Sequence, residues 1–491
     1  MKALLLCICM IAMSHAAVGK PSIYRMMIGG RILELAGTRQ LTSLADGEVA
    51  SASISPDGKY VVYLRKHLDD YQACLTKLTG GRTTIVMSPP PNHDEEGFTG
   101  EAWTPYGAWT WSPDSTRFTL FASHSEHTAA QKKWGYAIAV FNLAGARQAC
   151  FGIEDKAEPD WPALRWSPDG RRFAGAFRPS GAQEGSSLRV FDILSGLADK
   201  LLSQETFGIG LVSWSPDSRS LQYTAPADKG KTQLREFSLD TREDKVIQAE
   251  YNVPRVPSPD GLLDLDWGTG ISIRNRLTGE VTQLIKAKPD GVLGWSANNK
   301  MLAYQKTVVL EDDSGKRKQV FNSLWLVAAE ANPFNHMCVA FDSKNQLPTW
   351  SSDCLKMAYI SDGKLYVAEF AWKPMTPYDK LDAGLPLTEK DEQTVLMDKA
   401  REVGSAMEMY VSDWDGKYPS AEKFVQMLDS YTRDRTLFFR PGTETIAFQY
   451  FPLGNIADVK YPATTVVGFF DVGYGWKVIL YADGHVQIVP K

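Results

Sequence analysis

One short phrase recurs seven times between residues 51 and 353: an aromatic or apolar residue followed by Ser-Pro-Asp-Gly or a close variant. The clearest copies have proline at positions 56, 113, 168 and 216, and the weaker copies are centred on positions 259, 297 and 352. The intervals between copies vary from 38 to 57 residues, so the phrase is fixed while the segments between copies differ in length. A repeat of this size indicates stacked, equivalent supersecondary units.

Each copy has the composition of a tight turn between two β-strands. Proline presets φ at the second turn position, aspartate bonds the turn backbone, and glycine or serine follows where φ is positive. Apolar and polar residues alternate after the turn, as in residues 59–64 and 356–360, which is typical of strands. A further strand usually follows, so each unit has three or four strands in about 40 to 50 residues, the size of a β-propeller blade.

The repeat therefore predicts a mainly β fold, a β-propeller with seven blades, or with six if a weak copy is not a blade. Residues 22–44 read as extra strands ahead of the first hairpin. They are predicted to complete the last blade, which would close the ring and leave no free edge. Five tryptophans stand at or beside the phrase, and packing between blades is favoured for them over ligand stacking. They are Trp111, Trp166, Trp214, Trp295 and Trp350.

These repeats resemble the TolB-like and WD-type propeller family, whose blades carry this Trp-Ser-Pro-Asp-Gly hairpin. The resemblance assigns residues 22–372 to the propeller, about 70% of the chain. TolB itself has a small α/β domain ahead of its propeller, and the segment between Lys20 and Val49 leaves no room for one.

The first residues have the pattern of a signal peptide. Lys2 precedes an uninterrupted apolar stretch over residues 3–13, and residues 14–16 are Ser-His-Ala, so residues 1–16 are predicted to be removed on export. No later stretch approaches the 18 or so apolar residues of a membrane helix. The mature chain is predicted to be a periplasmic or extracellular monomer. Its net charge of −5 and pI near 5.9 argue against a nucleic-acid partner.

Export would leave four cysteines, and the exporting compartment permits disulfides. Cys338 and Cys354 are 16 residues apart around the seventh copy, so they either form a bridge between neighbouring strands or remain free and buried. No Cys-x-x-Cys pair is present in the mature chain, which excludes a redox motif and a zinc knuckle of that type.

After Trp372 the pattern changes from repeated turns to a helix followed by strands. Residues 373–386 are predicted to be a linker and residues 387–491 a small α+β domain. Thr388 and Asp391 have the spacing of a capping box that opens a long helix, Ser420 is predicted to cap a shorter one, and Ala482-Asp483-Gly484 to join the last two of four strands. The predicted core of this domain is Leu396, Val403, Met407, Phe424, Leu428, Val467, Phe469 and Ile479.

This C-terminal region resembles the soluble region of bacterial pseudopilins, in which a long helix is followed by Asp-Gly-x-Tyr-Pro and by strands that end in Ala-Asp-Gly-His-Val. The matching residues are Asp415, Gly416, Tyr418, Pro419, Asp483, Gly484, His485 and Val486. The apolar N-terminal helix with which pilins insert and polymerise is replaced by the propeller. The resemblance therefore implies a pilin-like module used as a folded domain and not a filament subunit.

The search for catalytic motifs excludes several enzyme classes. Propellers with this hairpin precede the α/β-hydrolase domain of prolyl-oligopeptidase relatives, but only 107 residues follow position 384 and no Gly-x-Ser-x-Gly elbow occurs. No His-Glu-x-x-His, Walker or Rossmann motif is present either. No cofactor is predicted.

Histidines and acids nevertheless gather in loops that propeller topology places on one face, opposite the Ser-Pro-Asp turns. They are ligand types for transition metals, and the alternative is that long exposed loops are simply polar. The candidate metal ligands are His67, His93, Asp94, His124 and His127. In the C-terminal region Asp413, Asp415 and Asp471 would suit Ca²⁺, with turn chemistry as the alternative.

These observations predict an exported, non-enzymatic binding or scaffold protein of the cell envelope. The propeller would be the platform for a protein, peptide or glycan partner. The alternative is a hydrolase or lyase that uses the histidine and acid loops, with or without a metal.

Overall fold

The computed structural model describes residues 24–91, 93, 98–127, 132–153, 157–159, 164–179, 187–203, 210–227, 231–250, 258–259, 262–311, 318–332, 335–341, 348–432 and 434–491. The predicted signal peptide and the candidate ligand Asp94 lie outside these residues. No helix in the described ranges is both long and apolar enough to span a membrane.

Between residues 25 and 373 the described chain is almost entirely strand. The strands are β1 (Arg25–Ile28), β2 (Arg31–Gln40), β3 (Val49–Ile54), β4 (Tyr60–His67), β5 (Asp70–Lys77), β6 (Thr84–Met87), β7 (Gly100–Trp111), β8 (Arg117–His127), β9 (Lys132–Asn142), β10 (Arg147–Ile153), β11 (Ala157–Pro159), β12 (Arg165–Trp166), β13 (Arg172–Pro179), β14 (Ser187–Asp192), β15 (Leu197–Ser203), β16 (Gly210–Trp214), β17 (Ser220–Pro226), β18 (Thr232–Ser238), β19 (Asp244–Gln248), β20 (Leu263–Asp266), β21 (Ile271–Asn275), β22 (Val281–Ile285), β23 (Gly291–Trp295), β24 (Met301–Glu311), β25 (Lys318–Ala328), β26 (His336–Phe341), β27 (Thr349–Trp350), β28 (Lys356–Ser361) and β29 (Lys364–Lys373).

Within the described residues these strands form seven antiparallel sheets, numbered here in the order of the Ser-Pro-Asp copies. Sheets 1 to 6 contain β3–β6, β7–β10, β11–β15, β16–β19, β20–β22 and β23–β26, and sheet 7 has the order β27-β28-β29-β2-β1. Sheet 5 shows three strands among the described residues, and residues 251–257, which precede its turn in the sequence, lie outside them.

The repeated turn has the same two hydrogen bonds in six of the seven sheets, and sheet 5 shows one of them among its described residues. In the first copy the Ser55 hydroxyl donates to Asp57 at 2.6 Å and accepts the backbone N–H of Tyr60 at 3.0 Å. The residue after aspartate has positive φ, as predicted: 64° at Gly58 and 61° at Ser115. Glycine adopts this conformation without strain, and serine accepts it at a small cost.

The tryptophan ahead of the turn connects consecutive sheets. The indole Nε1 of Trp111 donates to the carbonyl of Ser53 at 3.3 Å, and that of Trp166 donates to the carbonyl of Thr110 at 3.0 Å. Trp214 continues the series by donating to the carbonyl of Arg165 at 2.8 Å. The predicted role of these three tryptophans in packing between blades is confirmed.

The N-terminal strands close the ring. β2 pairs with β29 in antiparallel register, with Leu33 opposite Trp372, so the first strands of the chain complete the last sheet as predicted. Sheet 7 then meets sheet 1, where the backbone N–H of Ser352 donates to the carbonyl of Pro56 at 2.7 Å and that of Ile54 donates to the Thr349 hydroxyl at 3.1 Å. Buried clusters join sheets 7 and 1 as they join other consecutive sheets. The region is a β-propeller.

Residues 377–491 contain three α-helices and a separate four-stranded sheet. The elements are α1 (Pro377–Asp382), α2 (Glu389–Asp413), α3 (Phe424–Leu428), β30 (Phe448–Tyr450), β31 (Val466–Gly473), β32 (Trp476–Tyr481) and β33 (Val486–Pro490), with 3₁₀ turns at Leu44–Asp46 in the propeller and at Arg435–Phe438, Ile456–Asp458 and Pro462–Thr464 here. The Thr388 and Asp391 capping box opens α2 as predicted. The prediction that Ser420 caps the shorter helix is wrong, because that helix begins only at Phe424.

The C-terminal core lies between α2 and the sheet. Of the predicted core residues, Leu396, Val403, Met407, Leu428 and Val467 are buried in one cluster and Phe424 packs against it. The prediction that Phe469 and Ile479 belong to the core is wrong. The buried residues of these strands are their neighbours Phe470, Val478 and Leu480. A β-bulge between Val466 and Gly468 changes the alternation in β31, and a shift of one residue moves side chains to the other face.

The segment predicted as a linker contains helix α1. A capping box between Thr376 and Asp379 starts this helix, and the Lys380 ammonium lies 2.6 Å from the Asp391 carboxylate at the start of α2. Asp379 is also 3.1 Å from the Arg25 guanidinium in β1. These ion pairs therefore join helix α1 to the start of α2 and to strand β1 of the propeller.

All four cysteines within the described residues are free, so the unbridged alternative holds for Cys338 and Cys354. Burial raises the pKa of Cys338 to about 12 and also raises that of Cys354. Cys354 has φ of 57° and occupies the position that glycine holds in the first copy.

Candidate functional site

The candidate site lies on the propeller face that carries the loops between the second and third strands of the sheets. Two hairpins are longest there: β8 and β9 in sheet 2, and β24 and β25 in sheet 6, all of eleven residues. The equivalent strands of sheet 4 have seven residues. At about 3.3 Å per residue, the two hairpins extend about 13 Å further. We call the surface beside the sheet 2 hairpin, defined by His67, His93, His124 and His127, the histidine face.

His93 contacts the carboxylate of Asp70, the residue that pairs with His67 across the turn between β4 and β5. His67 ends β4 opposite Asp70 across a turn in which Leu68 has φ of 56°. The Nδ1 atom of the buried His93 lies 3.5 Å from the Asp70 carboxylate and 3.2 Å from the carbonyl of Pro90. Asp70 thus joins the turn of sheet 1 to the segment that leads into sheet 2.

His124 lies on the side of the long hairpin that faces sheet 1. It is directly opposite Trp103 across β7 and β8, and the two rings are 4.3 Å apart. Its Nε2 is 3.7 Å from the Glu101 carboxylate. That nitrogen is buried and has no hydrogen-bond partner among the described residues.

His127 lies at the end of β8 and makes local contacts. Its Nε2 is 3.1 Å from the Ser125 hydroxyl, and the Phe98 ring packs against it edge-on at 5.2 Å. The histidines are therefore arranged as individual contacts and as two pairs with carboxylates, His93 with Asp70 and His124 with Glu101.

No group of three or more histidine, cysteine, aspartate or glutamate side chains with metal-binding geometry occurs among the described residues. Asp94, the fifth candidate ligand, lies outside those residues, so the metal site stays a prediction. The two histidine–carboxylate pairs each supply two donor groups, whereas catalytic zinc sites use three protein ligands.

Aromatic side chains line the same hairpin, and the sequence interpretation overlooked them. Trp103 is half-buried on the side that faces sheet 1, while Tyr106, Phe121 and Tyr136 lie together on the other side, with ring centroids 5.1 to 6.4 Å apart. Tyr106 is 54% exposed although it sits in a strand. We call Trp103, Tyr106 and Tyr136, which together cover both sides of this hairpin, the aromatic strip. Rings with one buried and one solvent-facing side are enriched at binding surfaces.

The three aspartates considered for calcium in the C-terminal domain have separate partners. Asp413 accepts the Tyr431 hydroxyl at 3.1 Å, and the φ of 52° at Asp415 marks a turn. Asp471 pairs with the Lys491 ammonium at 2.7 Å, and this contact lowers the pKa of Asp471. These contacts favour the turn and ion-pair interpretation.

No protein-family model and no curated protein sequence matches this chain. An oligogalacturonate lyase in complex with manganese is 12% identical over 71% of this chain and 96% of its own, with a TM-score of 0.42. TolB from Acinetobacter baumannii is 13% identical over 68% of each chain, with a TM-score of 0.31. The Swd1 β-propeller domain of Myceliophteria thermophila is 12% identical over 69% of this chain and 99% of its own, with a TM-score of 0.39. These likenesses carry no information about activity.

Proposed function

We propose that this chain is an exported, non-enzymatic binding or scaffold protein of the cell envelope, periplasmic or extracellular, that holds a protein, peptide or glycan partner on the histidine face. The observation that carries the proposal is the aromatic strip on a hairpin that extends beyond its neighbours. Tyr106 is 54% exposed there, and exposed aromatic rings on a rigid strand contribute contact area at low entropic cost.

The propeller has seven blades in this proposal, one for each copy of the phrase, and acts as a single platform. The seven sheets and the pairing of β2 with β29 support it. Residues 1–16 are the signal peptide, and residues 373–386 connect the propeller to a pseudopilin-like domain over residues 387–491. The capped helix α2 and the single buried cluster behind it support an independently folding C-terminal domain.

Capture from a native envelope extract tests the platform. The whole chain, a Trp103→Ala/Tyr106→Ala variant and a Tyr474→Ala control would be compared; Tyr474 is 64% exposed in the C-terminal domain. The strip variant is expected to lose a partner that the control retains, because truncating a central aromatic residue typically costs at least about 2 kcal/mol of binding. Equal capture by all three chains would contradict the proposal.

A metal-dependent hydrolase or lyase is the second candidate, and the pairs of His93 with Asp70 and of His124 with Glu101 favour it. Metal analysis of the purified chain decides between the two. Stoichiometric Zn²⁺, Mn²⁺ or Ca²⁺ that is lost in His93→Ala/His124→Ala, but kept in His485→Ala, would support the enzyme. Its absence from every chain would support the binding protein.

A further inference from the structure

A cavity lies between sheets 5 and 6, apart from the histidine face, which belongs to sheets 1 and 2. It has a volume of about 250 Å³ and is bounded by the end of β22 with the loop after it, and by β24 and β26. Three lysines line it: Lys286 and Lys288 from the loop, and Lys306 from β24. We call this cavity the lysine pocket.

The three lysines that line the pocket have no carboxylate partner among the described residues. None of these lysines forms an ion pair with any of the described residues, although the whole chain carries a net charge of −5. The carboxylate on this loop is that of Asp290, and it accepts the backbone N–H of Thr307. Like charges gathered in a concave site repel one another, and a bound anion relieves that repulsion.

Rigid groups form the wall behind the lysines. Asn335, 6% exposed, donates to the carbonyl of Leu284 at 2.8 Å and so fixes sheet 6 against sheet 5. The His336 Nδ1 is 3.1 Å from the Asn335 side-chain oxygen. Loss of solvent around the ring and, to a smaller extent, the nearby Lys306 ammonium lower the pKa of His336.

Tyr304 supplies an unused donor. Its side chain is only 3% exposed and lines the pocket, yet its hydroxyl forms no hydrogen bond with any described residue. The hydroxyl is not among the unpartnered side-chain atoms that are closed off from solvent, so it can donate to a partner that enters the pocket. A ligand oxygen in the pocket would be that partner.

We propose that the lysine pocket binds a compact anion that carries a carboxylate or a phosphate group, of about the size of one sugar acid. The lysines hold the charged oxygens, and the Tyr304 hydroxyl donates to one of them. A volume of about 250 Å³ is near the lower end for small-molecule sites, which excludes an oligomer from being enclosed.

Titration calorimetry of the whole chain with inorganic phosphate, glucuronate and neutral glucose tests this proposal. Phosphate, glucuronate or both are expected to bind and glucose is not; which of the two binds identifies the source of the charge. Lys286→Gln/Lys288→Gln/Lys306→Gln is expected to weaken binding at least tenfold for each lysine that contacts the anion. Tyr304→Phe should weaken it by a few fold.

The matched control is Lys77→Gln/Lys300→Gln/Lys423→Gln, which removes the same charge from exposed positions elsewhere and should bind as the unchanged chain does. Thermal unfolding verifies that each variant is folded. The proposal is overturned if neither anion binds at about 20 mM, if glucose binds equally well, or if both triple variants lose the same affinity. Because the pocket is separate from the histidine face, this result is independent of envelope capture.

Discussion

The first four copies of the repeated turn and the last three differ in sequence far more than in structure. In the complete third copy, Ser167 donates to Asp169 at 2.5 Å and accepts the backbone N–H of Arg172 at 2.9 Å. In the weak sixth copy, Ser296 donates to Asn298 at 2.8 Å and accepts the N–H of Met301 at 3.0 Å. The fifth copy keeps the second of these bonds, from Leu263 to Ser258.

The difference shows which residues the turn needs. The serine hydroxyl is present in all seven copies and accepts the N–H five residues later. Glycine is replaceable, since Asn299 and Cys354 adopt positive φ of 62° and 57° at its position. Proline is replaceable too, since the sixth and seventh copies have other residues at positions 297 and 352. Substitutions in the two groups of copies test which of these bonds each group depends on.

The largest effect is expected where a complete copy joins its neighbour. Trp166→Ala should destabilise the propeller by about 4 kcal/mol, because it leaves a cavity and removes the bond to Thr110. The Trp350 Nε1 in the seventh copy is buried without a partner among the described residues. Urea unfolding should therefore show that Trp166→Phe costs about 1 kcal/mol more than Trp350→Phe. Equal costs would mean that the indole bond does not distinguish the two groups of copies.

Removing the shared hydroxyl should cost less, but in both groups. Ser167→Ala and Ser296→Ala are each expected to lose about 2 kcal/mol, since each leaves a buried backbone N–H unsatisfied. Ser405→Ala, on the exposed side of α2, is the control and should change stability little. A loss at Ser167 alone would show that the weak copies no longer depend on the hydroxyl.

Restoring the consensus proline in the seventh copy should destabilise it. Ser352 stands where the complete copies have proline, and its N–H closes the ring to Pro56. Ser352→Pro removes that donor and should cost about 1 kcal/mol, whereas Ser352→Ala should be nearly neutral. Thermal unfolding of the two variants measures the difference, and an unchanged Ser352→Pro chain would refute the closing role of this bond.

The smallest effect concerns pH. Burial opposes ionisation of Asp57 and Asp114, but their serine and backbone bonds prevail and lower both pKa values below 3.8. Such groups stabilise the fold above the unfolded pKa, and the contribution is lost as pH falls through the folded pKa. Asp57→Asn/Asp114→Asn, which imitates Asn298, should lose less stability between about pH 5 and 3. Unfolding midpoints across this range measure it, with Asp69→Asn/Asp458→Asn as the control that should follow the unchanged chain.

The C-terminal core shows which buried residues can be predicted from the spacing of apolar residues in the sequence. The helical stripe of α2 was predicted correctly at Leu396, Val403 and Met407, because every fourth or third residue must face the sheet. The strand pattern failed at Phe469 and Ile479, because apolar residues continue on both faces of β31 and β32 and the bulge is not visible in the sequence. A period of two identifies a strand more securely than it identifies the buried face.

The candidate sites also combine a feature that the sequence predicts with contacts that only the structure shows. Topology placed His93 and His124 on one face, but only side-chain geometry shows which described carboxylates they contact, Asp70 and Glu101. The lysine pocket had no signal in the sequence, since Lys286 follows the last strand of sheet 5 while Tyr304 and Lys306 lie in sheet 6, and no local motif connects the two segments.

The repeated turn follows from local sequence, because its hydrogen bonds link residues at most five positions apart. The alternation around these turns also specifies the strands that they join, from which the propeller follows. The groups that meet across sheets are visible only in the folded chain: the closing bond from Ser352 to Pro56, the unbridged Cys338 and Cys354, and the lysine pocket. Such contacts depend on the twist and spacing of whole sheets, which many weak packing interactions set together.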